Sequence, residues 1–480
     1  MVEKGKLISN SLSILINRLT QSITTFVLTA AIARILGSEA LGQYLLAFSY
    51  YFIFVSIASQ GLKTLFTREL ARNPEKTPIF LTNGSWLQLL LSLVSYGALV
   101  LLVFLLPYTP ETSNVCYIMG LTIIPFSLSN ITEAIFQAQE RMYLIAISTV
   151  PVYILRILVM IWAMQMSYGV EEITKIFFVS ESIILVAQWL LLVRIVKVKW
   201  KIDKDFIWES FKAARTFFAI EGMAVVHNRF QILILSLIGN EALVGIYGGI
   251  TQLIQPFLII ANSIATAIFP SLSKSVSQGI EYQQKITKNL IEILLIFACP
   301  LIIGCLFFSK DLLVFIYNPS FAQANVYLNI ISFALFFLCF NRAIPFVLLA
   351  NGYERLNLRI LIINSTLGSL AGIVLVSQFK LMGAVITDLC TTILIAGYNM
   401  YYLYGRLFSL NLIQMMRRPS IISILLIPIF IILQILNLNF LTKLIISSCC
   451  YFLIVSFFLL QSLDGFNSRW LKKIKNKYIQ

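Results

Sequence analysis

The chain has 480 residues, of which 59% are hydrophobic and only 12% charged, and its formal net charge is +15. Its apolar residues come in runs of about 20, the length at which a helix crosses a bilayer core about 30 Å thick. This composition excludes a soluble domain. Segments of about 10 residues that alternate apolar and polar side chains, the signature of a membrane barrel, do not occur. The sequence therefore predicts an all-α polytopic membrane protein.

Fourteen apolar segments follow one another along the chain. The predicted spans are 11–36, 42–62, 80–106, 115–138, 143–166, 173–195, 213–238, 243–269, 288–308, 324–350, 358–378, 382–404, 419–437 and 441–462. The basic opening MVEKGK resembles the start of a signal peptide. The apolar stretch behind it is too long for one and contains Asn17, Arg18 and Gln21, so we expect it to be retained as the first span.

Basic residues are concentrated in every second connection. Roughly five lie on one side of the membrane for each one on the other, and the positive-inside rule then puts both termini in the cytoplasm. Basic loops facing an anionic inner leaflet account for the net charge, so no nucleic acid partner is expected. The seven cysteines form no spaced pair, and the lone His227 fits a structural role, so no metal or cofactor is predicted.

Two motifs occur twice. LGSEALGQY at 36–44 matches IGNEALVGIY at 238–247, and FQAQERMYL at 136–144 matches LLANGYERLNL at 348–358. Each pair falls at the same place in two sets of six spans. Because six is even, the two halves must share one orientation, related by an axis along the membrane normal.

The repeats divide the chain into four predicted regions. They are an N-terminal six-helix lobe at 1–196, an amphipathic cytoplasmic linker at 197–212, a C-terminal six-helix lobe at 213–405, and two further spans with a basic cytoplasmic tail at 406–480. The linker carries many of the inner basic residues and has the pattern of a helix lying on the inner leaflet.

These features resemble a known family. The outer-turn LG-x-E-A-L-G-x-Y, Gly61 and Arg68 after the second span, ANGYERL at 350–356 and DLLVFIYNPSFAQA at 311–324 are similar to the polysaccharide-exporter, O-antigen flippase-like branch of the multidrug/oligosaccharidyl-lipid/polysaccharide (MOP) flippase superfamily. The resemblance covers nearly the whole chain. It implies two halves around a central cavity that faces each side of the membrane in turn, and an oligosaccharide on a polyprenyl pyrophosphate as substrate.

Four arginines lie inside predicted spans: Arg18, Arg156, Arg229 and Arg342. A cation at the bilayer centre costs roughly 2.5 to 3.5 kcal/mol on insertion scales, so such residues face a bundle interior or a wet cavity. We expect them to line the cavity. Two alternatives stay open: snorkelling of Arg18 and Arg342 to the inner interface, and pairing with an embedded acid, for which the chain offers Glu133, Glu181, Glu221 and Asp388.

Polar side chains recur on single helical faces beside these arginines. On the first span Asn10, Asn17, Gln21 and Thr24 flank Arg18. Spans seven and eight carry further polar residues, namely Asn228, Gln231, Tyr247, Thr251 and Gln255. Guanidinium groups suit a pyrophosphate, and amide and hydroxyl groups suit sugars, so a substrate-binding set is predicted: Arg18, Arg229, Arg156, Arg342, Asn17, Gln21, Asn228, Tyr247, Thr251 and Gln255. Hydrogen bonding between neighbouring helices is the alternative for each polar residue.

The predicted function is therefore a flippase that moves a polyprenyl-pyrophosphate-linked oligosaccharide across a bacterial inner membrane, an archaeal source being open. Membrane lipid and polysaccharide assembly proteins are further expected partners. A coupling ion, H⁺ or Na⁺, would use Glu221 and Asp388. No catalytic motif is present, so we expect no enzyme. A lipid II flippase, a cation-coupled multidrug exporter and a membrane-embedded polymerase or ligase remain alternatives.

The topology can be tested by cysteine labelling in intact cells. Single cysteines at Ser38, Thr112 and Asn240 should react with an impermeant thiol reagent, because the distribution of basic residues puts them outside. Cysteines at Ser277 and Asn476 should not react. Labelling of position 476 from outside would contradict the assignment.

Overall fold

A computed structural model describes residues 2–196, 202–436 and 438–463, and gives the backbone alone at 2–9, 60, 215–224, 226–228, 457 and 459–463. Helices and short connections make up this described part, and it contains no strand. The all-α polytopic fold predicted from the sequence is confirmed. Ten helical stretches of the described residues are long and apolar enough to span a membrane.

Each of the fourteen predicted spans falls on helix. The first half contains α1 (Val2–Ile35), α2 (Gly37–Val55), α3 (Gly61–Arg72), α4 (Thr77–Leu105), α5 (Pro110–Leu121), α6 (Ile123–Ala138), α7 (Met142–Gln165) and α8 (Val170–Val193). The remainder contains α9 (Lys204–Ile238), α10 (Glu241–Ser275), α11 (Ile280–Ile316), α12 (Asn325–Ser332), α13 (Ala334–Ala350), α14 (Glu354–Arg406), α15 (Leu412–Ile435) and α16 (Phe440–Leu463).

A short π-helix joins α2 to α3. It covers Ser56–Gln60, and α2, the π-helix and α3 form one unbroken helical run. A π-turn leaves a backbone carbonyl outside the regular ladder, and here the side chain of Gln88 donates to the carbonyl of Ala58 at 2.9 Å. Helical π-turns are frequent at functional sites, and this one borders a buried polar network described below.

The linker and the seventh span are one helix. Residues 197–201 lie outside the described part, but α9 runs from Lys204 through position 213 without a break. Its start is fixed to the first lobe, because the backbone N–H of Asp203 donates to Oδ1 of Asn83 at 2.7 Å. Phe206 packs against Phe80 with ring centroids 4.7 Å apart. The predicted domain boundaries at 196, 212 and 405 stay predictions.

A tight bend separates the eleventh and twelfth predicted spans. Both lie on α14, which is interrupted at Lys380, where φ is +48° and ψ is −120°. The bend falls between the predicted ends at 378 and 382. A Cβ placed on Gly383 would lie 2.1 Å from the carbonyl oxygen of Leu375, so only glycine lets the two arms approach this closely.

The described residues form two compact units: Met1–Gly249 with Gly372–Ala384, and Ile250–Ala371 with Val385–Gln480. A core cluster of the first unit contains Phe66, Leu81 and Phe136. In the second unit α15 and α16 pack on α11 through a cluster that includes Phe308 and Phe430. The basic tail at 464–480 lies outside the described residues.

Candidate functional site

Arg156 is buried in the first unit and paired with a carboxylate. Its Nη1 donates to Oε1 of Glu181 on α8 at 2.7 Å and to Oγ of Ser180 at 3.3 Å. The two charged side chains are only 8% and 5% exposed. The guanidinium also lies 4.5 Å from the ring centroid of Phe177 and 4.9 Å from that of Tyr153. This geometry matches the alternative in which an embedded arginine pairs with an embedded acid. Contact of Arg156 with substrate stays a prediction.

A second ion pair, half-buried, lies beside the π-helix. Nζ of Lys63 donates to Oε2 of Glu133 at 2.5 Å and to Oδ1 of Asn130 at 3.1 Å. Asn130 in turn donates to Oγ of Ser59, a residue of the π-helix, at 2.9 Å. Gln188 on α8 donates to the other oxygen of Glu133 and accepts a short hydrogen bond from Thr132.

The sequence predicts no role for Lys63, because this lysine follows the predicted end of the second span at residue 62 and belongs to the inner basic residues. The helical run continues past residue 62 into α3, which turns the lysine toward Glu133 on α6. The signal available in the sequence was Glu133 itself, an acid inside a span that needed a cationic partner.

Arg229 on α9 has aromatic partners. Its guanidinium carbon lies 5.4 Å from the ring centroid of Phe52 and 5.6 Å from that of Phe48, both on α2. No described carboxylate forms an ion pair with this half-buried side chain. The side chains of Glu221 and Asn228, also predicted for this site, lie outside the described residues. Aromatic faces hold a guanidinium by its π-system and leave its N–H donors available to an anion.

The polar stripe on α1 divides in two. Asn10 and Asn17 bond to the neighbouring part of the fold: Nδ2 of Asn10 donates to the carbonyl of Glu140 at 2.8 Å, and Oδ1 of Asn17 accepts from Oγ1 of Thr149 at 2.8 Å. Arg18 and Gln21 are exposed. The two asparagines therefore attach α1 to α7 and the turn before it, whereas the side chains of Arg18 and Gln21 are accessible on α1.

The predicted residues of α10 differ in exposure. Tyr247 is buried, Thr251 is half-buried and Gln255 is exposed. In the second unit Arg342 on α13 is half-buried, and its Nε is buried with no hydrogen-bond partner among the described residues. Asp388 on α14 is half-buried, and its backbone carbonyl accepts from Oγ1 of Thr392 at 2.7 Å. Roles of these residues in substrate binding and ion coupling stay predictions.

The second unit contains an ion pair that was not predicted from the sequence. Nη1 of Arg418 on α15 donates to Oε1 of Glu292 on α11 at 3.1 Å. This ion pair supplements the apolar packing between α11 and α15. Glu292 lies near the inner end of its predicted span. A charged residue at that interfacial position can be solvated, so the sequence does not indicate that it needs a partner.

The repeated EAL motifs contact each other. A Cβ placed on Gly42 would lie 1.7 Å from the carbonyl oxygen of Glu241, and a Cβ on Gly245 would lie 1.8 Å from the carbonyl oxygen of Ser38. The glycine of each copy thus lies against the first turn of the other. Such an approach of two helix backbones requires glycine at both positions. We call this contact the glycine seam, defined by Gly42, Gly245, Ser38 and Glu241.

Side-chain hydrogen bonds surround the glycine seam. Oγ1 of Thr112 donates to Oε1 of Glu241 at 3.0 Å and accepts from Nε2 of Gln43 at 3.3 Å. The hydroxyl of Tyr108 lies 2.8 Å from that of Ser236 and 2.8 Å from that of Tyr50. The seam therefore joins α2, α5 and the start of α10 at the end of the first unit predicted to face outward.

The chain is similar to known proteins of polysaccharide biosynthesis. The family model described as polysaccharide biosynthesis protein matches residues 7–276, more than half of the chain. The chain belongs to this polysaccharide biosynthesis protein family. Among curated relatives, the capsular polysaccharide biosynthesis protein CapF of Staphylococcus aureus is 26% identical over 180 residues, which are 37% of this chain and 45% of CapF. The match thus spans less than half the length of that relative.

Solved structures give the fold. The chain is similar to the lipid II flippase MurJ in an inward closed conformation, with a TM-score of 0.76 and 16% identity over 95% of this chain and all of that one. It is also similar to an inward-facing multidrug resistance MATE family transporter of the MOP superfamily, with a TM-score of 0.62 and 14% identity over 80% of this chain and 94% of that one. The predicted polysaccharide family is confirmed by the family model, and this family member is an integral membrane protein with the fold of these solved polytopic helical transporters.

The Arg156–Glu181 pair yields a stability prediction. Arg156→Met leaves an uncompensated carboxylate in the bundle and should destabilise the protein by about 3 to 5 kcal/mol, whereas the double variant Arg156→Met/Glu181→Leu should recover most of the loss. Melting temperatures of the purified variants measure both effects. The matched control is Arg68→Met, which breaks the exposed pair with Glu69 and should cost less than about 1 kcal/mol. A double variant no more stable than Arg156→Met would contradict a structural pair.

The glycine seam yields an accessibility prediction. Thr112, where the topology test expects a reactive cysteine, is fully buried beside the closed seam, so a cysteine there should react slowly in the parent protein. Gly245→Leu should force α10 away from α2 and open the seam, and the same cysteine should then react faster with an impermeant thiol reagent. The background is a variant in which the native cysteines are replaced. Gly97→Leu is the control, because a Cβ on Gly97 meets nothing within 4 Å. Equal labelling in the two variants would show that the glycines do not close this end.

Proposed function

We propose that this family member is a flippase for an oligosaccharide carried on a polyprenyl pyrophosphate, working by alternating access in a bacterial inner membrane with both termini in the cytoplasm. The supporting observation is the state of Arg229. This cation lies within a membrane-spanning bundle on the faces of Phe48 and Phe52, and no described carboxylate neutralises it. An anionic substrate group supplies the missing counter-charge.

The contrast with Arg156 strengthens this argument. Both arginines lie inside spans of the same unit, yet Arg156 has a carboxylate at 2.7 Å and Arg229 has two aromatic rings. A cation inside a membrane-spanning bundle is costly without a counter-charge, and a bound anion can supply the charge that no described carboxylate gives Arg229. Arg18 supports the same assignment, because it is exposed on α1 at a position where the sequence places the membrane. Gln21, one turn further on, offers amide groups for sugar hydroxyls.

The comparisons favour a polysaccharide substrate. The family model and CapF both carry polysaccharide biosynthesis in their descriptions, and MurJ is described as a lipid II flippase. A lipid-linked saccharide is one substrate class that is compatible with all three descriptions. A cationic drug, the substrate class expected of a multidrug exporter, would be repelled by an arginine that no described carboxylate neutralises. The proposed protein is therefore a transporter that carries out no catalytic step.

The membrane potential is the proposed source of energy. If the lipid head carries about two uncompensated negative charges outward, an inside-negative potential of 100 mV assists export by roughly 4 to 5 kcal/mol. Exchange of H⁺ or Na⁺ at Asp388 and Glu221 is the alternative source. Export in vesicles that continues at zero potential and depends on an ion gradient would favour it.

Substitution of Arg18 and Arg229 tests the binding site. Loss of one charge-assisted contact should weaken substrate affinity about 10- to 150-fold, equivalent to roughly 1.5 to 3 kcal/mol. Arg18→Lys and Arg229→Lys should rescue export only in part, because lysine keeps the charge but loses the planar fork. Export of surface polysaccharide in cells measures the effect, and Arg359→Ala, at an exposed position on α14, is the control.

Membrane abundance and thermal stability must be measured on the same samples. Normal export by Arg18→Ala and Arg229→Ala at normal abundance would show that the anion site lies elsewhere. Loss of abundance in the alanine variants, restored by lysine, would make these arginines structural.

A further inference from the structure

Aromatic side chains recur every four residues on α2. Tyr44, Phe48 and Phe52 lie on one helical face, and neighbouring rings in this row are stacked with centroids 6.1 and 5.9 Å apart. Phe48, the middle ring, also contacts two rings outside the row, Tyr51 at 5.7 Å and Phe177 of α8 at 6.1 Å. Phe48 therefore joins the aromatic row of α2 to α8.

Through this contact Phe48 connects two embedded arginines. The guanidinium carbon of Arg229 lies 5.6 Å from the ring centroid of Phe48. The planes of Phe48 and Phe177 are at 89° to each other, an edge-to-face contact. The guanidinium carbon of Arg156 lies 4.5 Å from the ring centroid of Phe177. A continuous series of contacts therefore runs from Arg156 through Phe177 and Phe48 to Arg229.

Phe177 is the fixed member of this series. It is 6% exposed, and its ring contacts that of Tyr51 at 5.8 Å as well as the guanidinium of Arg156. Arg156 is itself held by the carboxylate of Glu181 at 2.7 Å, and Glu181 follows Phe177 by one turn on the same face of α8. Phe48, by contrast, is half-buried. The less confined ring thus takes its orientation from the fixed one, because an aromatic pair favours edge-to-face geometry.

We propose that Phe177 is a positioning residue of the arginine site. Held against Arg156, it fixes the ring of Phe48, and Phe48 holds the guanidinium of Arg229 so that its N–H donors are presented to an anion. Phe177 acts through Phe48 and not by touching the anion. The inference rests on the proposed function in one respect, that Arg229 is the anion-binding residue.

Modification of Arg229 by phenylglyoxal tests this role in the purified protein without any substrate. Mass spectrometry measures the rate at this single residue. In Phe177→Leu the ring of Phe48 loses its edge contact, so Arg229 should react about 2- to 12-fold faster, equivalent to roughly 0.5 to 1.5 kcal/mol for an aromatic pair. Phe177→Met, which is less disruptive to packing, should raise the rate in the same direction. Phe177→Tyr keeps the ring and should restore the parent rate.

Inorganic pyrophosphate provides a second measurement on the same samples. Bound to the guanidinium, it should protect Arg229 of the parent protein from the reagent. Phe177→Leu should require about 2- to 12-fold more pyrophosphate for equal protection, because the donors of Arg229 are no longer held in one orientation.

The matched control is Phe126→Leu in the same unit. Phe126 contacts Tyr51 at 6.0 Å with the ring planes at 83°, the same kind of contact, but it makes no described ring contact with Phe48. Phe126→Leu should therefore leave the rate at Arg229 unchanged. Arg18, accessible on α1, should react equally in every variant and serves as the internal reference.

An unchanged rate at Arg229 in Phe177→Leu would overturn the proposal. An equal rise in Phe126→Leu would also overturn it, because the effect would then be a general loosening of the bundle. Failure of pyrophosphate to protect Arg229 in the parent protein would instead refute the proposed function, and the rates measured without pyrophosphate would still decide whether Phe177 positions Arg229.

Discussion

The neutralisation of charge inside an apolar bundle is the constraint on which the described structure depends. An ionised group that is buried in such a bundle is costly unless another group compensates its charge. Arg156 and Glu181 meet this need across α7 and α8, and Lys63 and Glu133 meet it across α3 and α6. These pairs fix which helices are neighbours, because an alternative packing would leave a charge in hydrocarbon.

Arg229 meets the same constraint differently, and that difference carries the functional argument. Aromatic faces stabilise a guanidinium by less than a carboxylate does, and they do not occupy its hydrogen-bond donors. Under the proposed function, the aromatic rings hold the cation in the absence of substrate and leave its donors to a substrate anion. A carboxylate in place of Phe48 or Phe52 would satisfy the arginine permanently and would compete with any anion.

The glycine seam gives the repeated motif a physical meaning. Two copies of a short sequence pack reciprocally, each glycine against the other copy's first turn. Backbone contact of this kind depends on matched shapes, and the carboxylate of Glu241 beside it accepts a hydrogen bond from Thr112. An alternating transporter needs such a closure on each side of the membrane, and the seam lies on the side predicted to face outward.

Hydropathy was sufficient to predict the helices, because a membrane span must be a continuous apolar helix whatever it packs against. Even the bend at Lys380 was predicted, since a basic residue interrupts two apolar runs there. Partner choice was not predictable: four acids were available to Arg156, and only the packing of α7 on α8 selects Glu181. The continuity of α9 through the predicted linker was not predictable either. An amphipathic helix and a membrane-spanning helix have the same helical period, so the pattern does not show whether they form one helix or two.

Translocation in proteoliposomes tests the central claim most directly. The purified protein is reconstituted with a polyprenyl-pyrophosphate-linked oligosaccharide confined to one leaflet, a potential is imposed, and arrival in the other leaflet is measured with a lectin or glycosidase that cannot cross the membrane. The account predicts that the oligosaccharide becomes accessible with wild-type protein and stays inaccessible with Arg229→Ala at equal reconstitution. Equal arrival with wild-type protein and protein-free vesicles, or undiminished arrival with Arg229→Ala, would contradict it.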